Sequence, residues 1–392
     1  MIVRFEASEL SGSIDPPPFK SEVIRCLILY AMCGISPYSV VRPSDRLSDD
    51  IANACSAVHE AFFGNAGSKE KPLYVGESAT LLRLLAPVLT ARQGSVVFSV
   101  DPSLFRRDIS SLSYCTGIRA AKTDPGVIAF SGAFDPHRSY SIDAGMTSQF
   151  ASGMLLASLL VPGMELCILS PVSKPYIELT LACIRRFGGE ITVDQNGVYR
   201  SSASELCPPE CMEFSPDSSY IANFVAANFI MNGCATSAIA VPRLNDTSLH
   251  PDAAIGELLL LDRFSIRDCP DLFPILCVAA LKKDRITTID GIARLRGKES
   301  DRIESTAAMI RSLGGRIDIH SDTAFVHGCS EKLHDCTVDS FGDHRIVMAA
   351  AIASLMSDGP VTVLGADCVS KSAPCFFEDF RKLGGIADEQ LW

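Results

Sequence analysis

Three segments of this 392-residue chain, IRRFGGEITV, IRSLGGRIDI and FRKLGGIAD, repeat one pattern: a basic helix end, an aromatic residue or leucine, Gly-Gly, and an apolar restart. Gly-Gly stops a helix, because glycine takes the left-handed backbone that other residues resist at a helix C-terminus. The last two segments lie about 70 residues apart, a period that gives five or six units across the chain. Each follows a helix with a polar start, so the unit reads strand, helix, strand with a Gly-Gly stop. An α/β chain of two similar domains follows. Pro16, Pro17 and Pro18 stiffen the chain after a first short strand, IVRFEA, and Pro208, Pro209 and Pro216 interrupt the pattern again. The expected division is residues 1–18 with 216–392 in one domain and 19–215 in the other, with hinge crossings near 14–19 and 207–216.

The helix starts carry the chemistry. Lys20 and Ser21 open a helix whose Val23, Cys26, Leu27, Tyr30 and Ala31 mark the buried face, with Arg25 on much the same side as Lys20. Gly76, Ser78 and Thr80 precede an apolar helix carrying Arg83, and Arg106 and Arg107 follow a turn at Asp101 and Pro102. Thr147, Ser148 and Gln149 place three hydrogen-bonding side chains in one turn, more than a cap needs. Further starts hold Ser173, Lys174 and Tyr176; Asp217, Ser218 and Ser219; His344 and Arg345; and Lys371 and Ser372.

The densest start is RLRGKESDR, Arg294 to Arg302, which leads into IESTAAMIRSLGG. Read alone it is a solvated first turn with Ser300 as cap and Glu/Arg pairs. Recurrence favours a different reading, in which the helix N-termini converge on a cavity that binds more than one anionic group. Lys298, Arg302 and Arg296 would then meet phosphate or carboxylate oxygens, and Glu299 among them could carry protons. Asp271, between Pro270 and an apolar helix, is either a charge on that helix start or a base. His344 reads as an orienting residue.

Composition bounds the rest. At 47% hydrophobic and 21% charged the chain can bury two cores, and a net charge of −11 argues against wide nucleic-acid or acidic-membrane contact. The positive field for an anion must be local. Fifteen cysteines, among them Cys26, Cys33, Cys167, Cys183 and Cys277 in apolar runs, include no CxxC pair and suit reduced thiols in a cytosol. Cys207 and Cys211 are the nearest to a metal pair but lack a partner pair at zinc spacing. The N-terminus has no signal or transit pattern, and ASGMLLASLLVPGMELCIL is cut by Pro162, Gly163 and Glu165, so it reads as a buried helix, a turn and a strand rather than a membrane span. P-loop, GxGxxG and serine-elbow motifs are absent.

Taken in order, SGSIDPPPFKSEVIR, SATLLR, TSQF, SKPYIELTL, PDLFP, RGKESDRI, GDHRIVMA and KSAPCFF resemble the enolpyruvyl transferases, in the branch that acts on shikimate 3-phosphate. The resemblance spans essentially the whole chain. It implies two domains, each of three βαβαββ repeats with helices inside and sheets outside, in an inside-out α/β barrel. The implied reaction moves the enolpyruvyl group of phosphoenolpyruvate to the 5-hydroxyl of shikimate 3-phosphate and releases phosphate, in the shikimate pathway to aromatic amino acids. By the same resemblance, shikimate 3-phosphate would meet Lys20, Ser21 and Arg25, then Thr147, Ser148 and Gln149, then Ser173, Tyr176, Asp271 and Lys298. Phosphoenolpyruvate would meet Lys20, Arg107, Gln149, Arg302, Arg345 and Lys371, with Ala79 and Thr80 lining its pocket. Asp271 would be the base, Glu299 the proton carrier at the methylene carbon, and Lys20 the bridge between substrates. Because these groups lie far apart in sequence, domain closure is expected to bring them together and to dry the pocket. No metal or organic cofactor, nucleic acid or membrane is implied, and a cytoplasmic monomer is expected.

The departures from the family pattern are specific. Val23 and Ile24 replace the usual Ser-His after Lys20 and Ser21, and Phe19 stands where a polar residue is common. Ala79 stands where the family has a glycine, which predicts a tighter phosphoenolpyruvate pocket and weaker inhibition by glyphosate. Asp108 replaces a proline beside Arg107, and Arg294 stands where some relatives put an amide. Within the fold, the rival is UDP-N-acetylglucosamine enolpyruvyl transferase, which uses a loop cysteine. Cys115 lies in LSYCTGIR, which does not look like that loop. A catalytically silent binding protein of this fold is the alternative from another class. It has no need to keep mutually repelling cations together.

Overall fold

The computed structural model describes residues 1–41, 46–109, 117–232, 238–241, 249–329 and 331–390. The chain divides into two compact units, Met1–Pro18 with Pro216–Trp392 and Phe19–Ser215. At the crossings, Asp217 N–H donates to Pro17 O at 2.9 Å in the first unit, and Phe19 N–H donates to Ser215 O at 2.8 Å in the second.

Among the described residues, one topology of strand, helix, strand, helix and a final antiparallel strand pair occurs four times. In the unit 19–215 it forms Leu73–Tyr74 parallel to Ser95–Ser99, which pairs antiparallel with Val127–Gly132 and through it with Ile118–Asp124. The same order recurs with Ser139–Asp143, Glu165–Leu169, Val198–Ser201 and Ile191–Val193. The other unit has Arg263–Ser265, Ile286–Asp290, Thr323–His327 and Arg316–His320. Its second copy joins the two chain ends: Cys336–Asp339 runs parallel to Val361–Leu364, which pairs with the N-terminal strand Ile2–Glu6 and then with Ile386–Gln390. A two-stranded parallel sheet of Gly12–Ser13 and Ile239–Ala240 is a shorter piece of the same unit.

Parallel pairing needs a crossover, and helices Ala79–Gln93, Gln149–Ser158, Phe273–Ala280 and His344–Ala353 supply one in each copy. They are apolar nearly all round, and every residue of Phe273–Ala280 and His344–Ala353 is buried. Strands such as Ser139–Asp143 alternate buried and exposed positions. Helices therefore fill the interior of each unit, and each sheet keeps a wet outer face. The apolar run at 151–169 is the helix, turn and strand expected of it, and no described helix is long and apolar enough to cross a membrane.

The Gly-Gly stops have a double cause. The first glycine of each pair is left-handed, at φ +73° (Gly188), +82° (Gly314) and +101° (Gly384). The second allows close packing onto the residue five positions back: a Cβ would lie 2.7 Å from Ile184 Cγ2 at Gly189, 3.0 Å from Ile310 Cγ2 at Gly315 and 2.3 Å from Phe380 Cδ1 at Gly385. Conformation fixes one glycine and space fixes the other.

Candidate active site

Most candidate side chains sit at or within two turns of a helix start. In the unit 19–215, Lys20 begins the helix Lys20–Met32 and its Nζ meets Asp50 Oδ2 at 2.8 Å. One turn on, Arg25 is 1% exposed and gathers three helices. Its Nε donates to Thr180 Oγ1 at 2.8 Å, Nη1 to Ser21 O at 2.6 Å, and Nη2 to Ser152 Oγ and Tyr176 O at 3.3 Å each. Burial, the largest effect, lowers its pKa. Every one of these acceptors is neutral, so among the described residues this buried cation makes no hydrogen bond to a carboxylate.

Arg83 makes the second junction. Its Nη1 donates to Gln149 Oε1 at 2.8 Å and its Nη2 to Asp108 O at 3.3 Å, in the stretch that follows Arg107. A guanidinium only donates, so the Gln149 oxygen must face it and the amide nitrogen faces Thr80 Oγ1 at 2.8 Å. The orientation of Gln149 is thereby set. Gly153 permits the contact: a Cβ there would lie 2.5 Å from Arg83 O, so helices Gln149–Ser158 and Ala79–Gln93 meet backbone to backbone. Ala79 opens the latter helix and is buried.

The polar helix starts exceed what capping uses. Ser148 and Ser173 occupy N-cap positions, yet neither side chain makes a cap hydrogen bond. Thr147 Oγ1 accepts from Gln149 N at 3.3 Å. Ser173 also holds a left-handed φ of +51°, a conformation that costs a residue with a Cβ about 1 kcal/mol or more. Such strain at a helix start marks a position fixed by something other than the helix.

In the other unit the centre is Asp271, in the 3-10 turn Pro270–Leu272 ahead of helix Phe273–Ala280. Its Oδ1 accepts from Arg302 Nη1 at 2.6 Å and Lys298 Nζ at 3.3 Å, and its Oδ2 from Arg345 Nη2 at 2.9 Å. Arg302 is 0% exposed and places its other nitrogens on Asp343 Oδ2 at 2.8 Å and Glu299 Oε2 at 2.7 Å. Burial would raise the Asp271 pKa, but Arg345, Lys298 and Arg302 together hold it well below the usual carboxylate range. Burial likewise lowers Lys298, against the pull of Asp271. Arg302 and Arg345 remain fully charged, their carboxylate partners outweighing burial. Lys371 is buried at the end of the 3-10 segment Ala366–Lys371.

Several expectations change. Arg296 does not join this cluster: it is half-exposed and pairs with Asp301 at 2.8 Å and Glu304 at 3.3 Å. Ser300 is not the cap of helix Arg302–Ser312. Asp301 is, accepting from Glu304 N, because a carboxylate one residue nearer the helix competes better for its N–H groups, and Ser300 Oγ turns to Asp343 Oδ2 at 3.2 Å. Arg294 reaches the carbonyl of Arg267. His344 is buried with its Nδ1 4.0 Å from Asp343 Oδ1. Sequence reasoning passed over Asp50, Asp343 and the role of Arg83. Asp343 stands beside His344 and Arg345 in GDHR, and a carboxylate heading a cationic helix start is the signal that would have found it. Cys115 lies outside the described residues. Among the described residues no group of His, Cys, Asp or Glu could hold a metal ion.

A family model described as EPSP synthase (3-phosphoshikimate 1-carboxyvinyltransferase) matches residues 50–238 and 254–380. A 3-phosphoshikimate 1-carboxyvinyltransferase of Clostridium acetobutylicum is 31% identical over 440 residues, covering 99% of this chain and 98% of the relative. One from Methanocorpusculum labreanum is 29% identical, covering 98% of each. Among solved structures, EPSP synthase from Acinetobacter baumannii superposes with a TM-score of 0.75 at 20% identity, over 100% of both chains. The enolpyruvyl transferase NikO from Streptomyces tendae gives 0.71 at 15% identity, over 99% of this chain and 98% of its own. The fold is thus the two-domain α/β fold of the enolpyruvyl transferases, and by its family match the chain belongs to the EPSP synthases, the 3-phosphoshikimate 1-carboxyvinyltransferases.

Proposed function

We propose that the chain transfers the enolpyruvyl group of phosphoenolpyruvate to the 5-hydroxyl of shikimate 3-phosphate, with release of phosphate, and that the residues above carry out the steps. The observation that carries the assignment of roles is the cluster at Asp271, where one carboxylate is held by three cations and a second acid, Glu299, rests on the central arginine. The reaction adds a proton to C3 of phosphoenolpyruvate while the 5-hydroxyl oxygen bonds to C2 and loses its proton. The tetrahedral intermediate then expels phosphate from C2 and returns a proton from C3, restoring the double bond. Two proton carriers and a dense positive field are what these steps require.

Asp271 takes the hydroxyl proton and Glu299 serves C3. With its three cations in place Asp271 is a weak base. The carboxylate and phosphate of phosphoenolpyruvate compete for Arg302 and Arg345, and each cation drawn away raises the basicity of Asp271. The base is strengthened by the arrival of the substrate it acts with. In the unit 19–215, Arg25, whose described acceptors are all neutral, supplies a positive charge beside Ser21, Ser152 and Tyr176 suited to the anionic shikimate 3-phosphate, with Ser148, Ser173 and the oriented Gln149 as further contacts. Lys20, now held by Asp50, serves both substrates, and Ala79, Thr80, Arg107 and Lys371 complete the phosphoenolpyruvate set. A monomer working in the cytoplasm is part of the same proposal.

Asp271→Asn tests the assignment. Loss of the base is expected to lower kcat by about 100-fold or more, in protein whose circular dichroism is that of the wild type. A kcat within about threefold of wild type would remove Asp271 from the proton path.

A further inference from the structure

Behind Arg345 lies a carboxylate that none of these steps uses. Asp252, in the 3-10 turn Pro251–Ala254, is 0% exposed. Its Oδ2 accepts the Ser219 hydroxyl, and Ser219 Oγ accepts from Arg345 Nη2 at 3.4 Å, the nitrogen that also reaches Asp271 Oδ2 at 2.9 Å. Ser219 has one hydroxyl proton, which it donates to Asp252, so the donors run one way: Arg345 to Ser219 to Asp252. Asp252 Oδ1 meets no donor among the described residues. The groups that face this carboxyl are Asp271 and Cys269 at the next turn, Arg345 on helix His344–Ala353, and Asp217 and Ser219 at the start of helix Ser218–Asn232, with His250 two residues before it. Burial first, and then the charge of Asp271, push Asp252 up to about 6 against the opposing pull of Arg345 and Ser219.

We infer that Asp252 is a positioning residue for Arg345, gripping its guanidinium through Ser219, and that the charge on Asp252 sets how tightly Arg345 holds an anionic substrate. This rests on the assignment of Arg345 to phosphoenolpyruvate. Ionised, Asp252 orients Arg345 and offsets part of its charge. Protonated on Oδ1, it keeps the Ser219 bond on Oδ2 but no longer offsets that charge. The sign follows: affinity for an anion at Arg345 is higher below the Asp252 transition and falls as pH rises through it.

Steady-state kinetics at saturating shikimate 3-phosphate, from about pH 5 to about pH 8, tests this with Asp252→Asn, whose amide oxygen can still take the Ser219 hydroxyl. The ionisation of phosphoenolpyruvate itself cancels in the ratio of wild-type to variant KM for that substrate. The ratio is expected to be near one at about pH 5 and to rise to between about threefold and tenfold at about pH 8. A ratio independent of pH would overturn the inference. Should the variant not fold, Ser219→Ala decides: kcat/KM for phosphoenolpyruvate lowered about tenfold supports the grip, and an unchanged value overturns it. Arg345→Lys separates the two readings, since an unchanged KM for phosphoenolpyruvate there removes the site assignment itself and the inference with it.

Discussion

Arg302 shows at the level of one residue how a charge is kept inside a protein. It is 0% exposed, yet each guanidinium nitrogen meets a carboxylate, those of Asp343, Asp271 and Glu299. With Lys298 and Arg345 also on Asp271, the group holds three cations and three carboxylates, and it is stable only while every partner is present. Little of this was legible in RLRGKESDR. The stretch announces a cationic helix start, but whether Arg296 or Arg302 turns inward depends on which side of the Asp301 cap each falls, and the cap itself was read one residue early. Ala79 is a clearer case, because the change is a single methyl group on a buried helix start. Ala79→Gly is expected to enlarge the pocket and lower the glyphosate concentration needed for half inhibition, measured at fixed phosphoenolpyruvate. Unaltered inhibition would show that the Ala79 methyl does not limit the pocket.

At the scale of elements, the Gly-Gly stop was legible because both of its causes act locally. Its left-handed first glycine and its packed second glycine recur with the same five-residue spacing to Ile184, Ile310 and Phe380. Gly315→Ala would put a methyl group 2.8 Å from Leu281 Cδ2 and 3.0 Å from Ile310 Cγ2, and is expected to cost about 1–3 kcal/mol in urea unfolding. Gly256→Ala, in open space within the helix Ile255–Leu258, is the control and should be neutral or slightly stabilising. Equal midpoints for the two variants would contradict the packing explanation. Less legible were the 3-10 turns that hold Asp271 and Asp252. Three or four residues give no periodicity to read, and what fixes those turns is burial against helices distant in sequence.

For the whole molecule, the governing fact is a net charge of −11 around two concentrations of cations. The two are maintained differently. Around Asp271 the cations are matched by carboxylates, so in the proposed reaction an incoming anion would exchange partners. Around Arg25 the described acceptors are neutral, so in the proposed reaction an anion would supply the charge that these acceptors do not. The repeated helix starts suggested anion binding, which is part of the proposed function, and the order of motifs conveyed the family. The sequence could not show which acids accompany which bases, since Lys20 with Asp50 and Arg302 with Asp343 are pairings made by packing. The most direct test of the whole account is inorganic phosphate release from phosphoenolpyruvate, with and without shikimate 3-phosphate, for the wild type and Lys20→Met. Release is expected to require both substrates and to be lost in the variant. Release from phosphoenolpyruvate alone, or none from folded wild-type protein given both substrates, would contradict it.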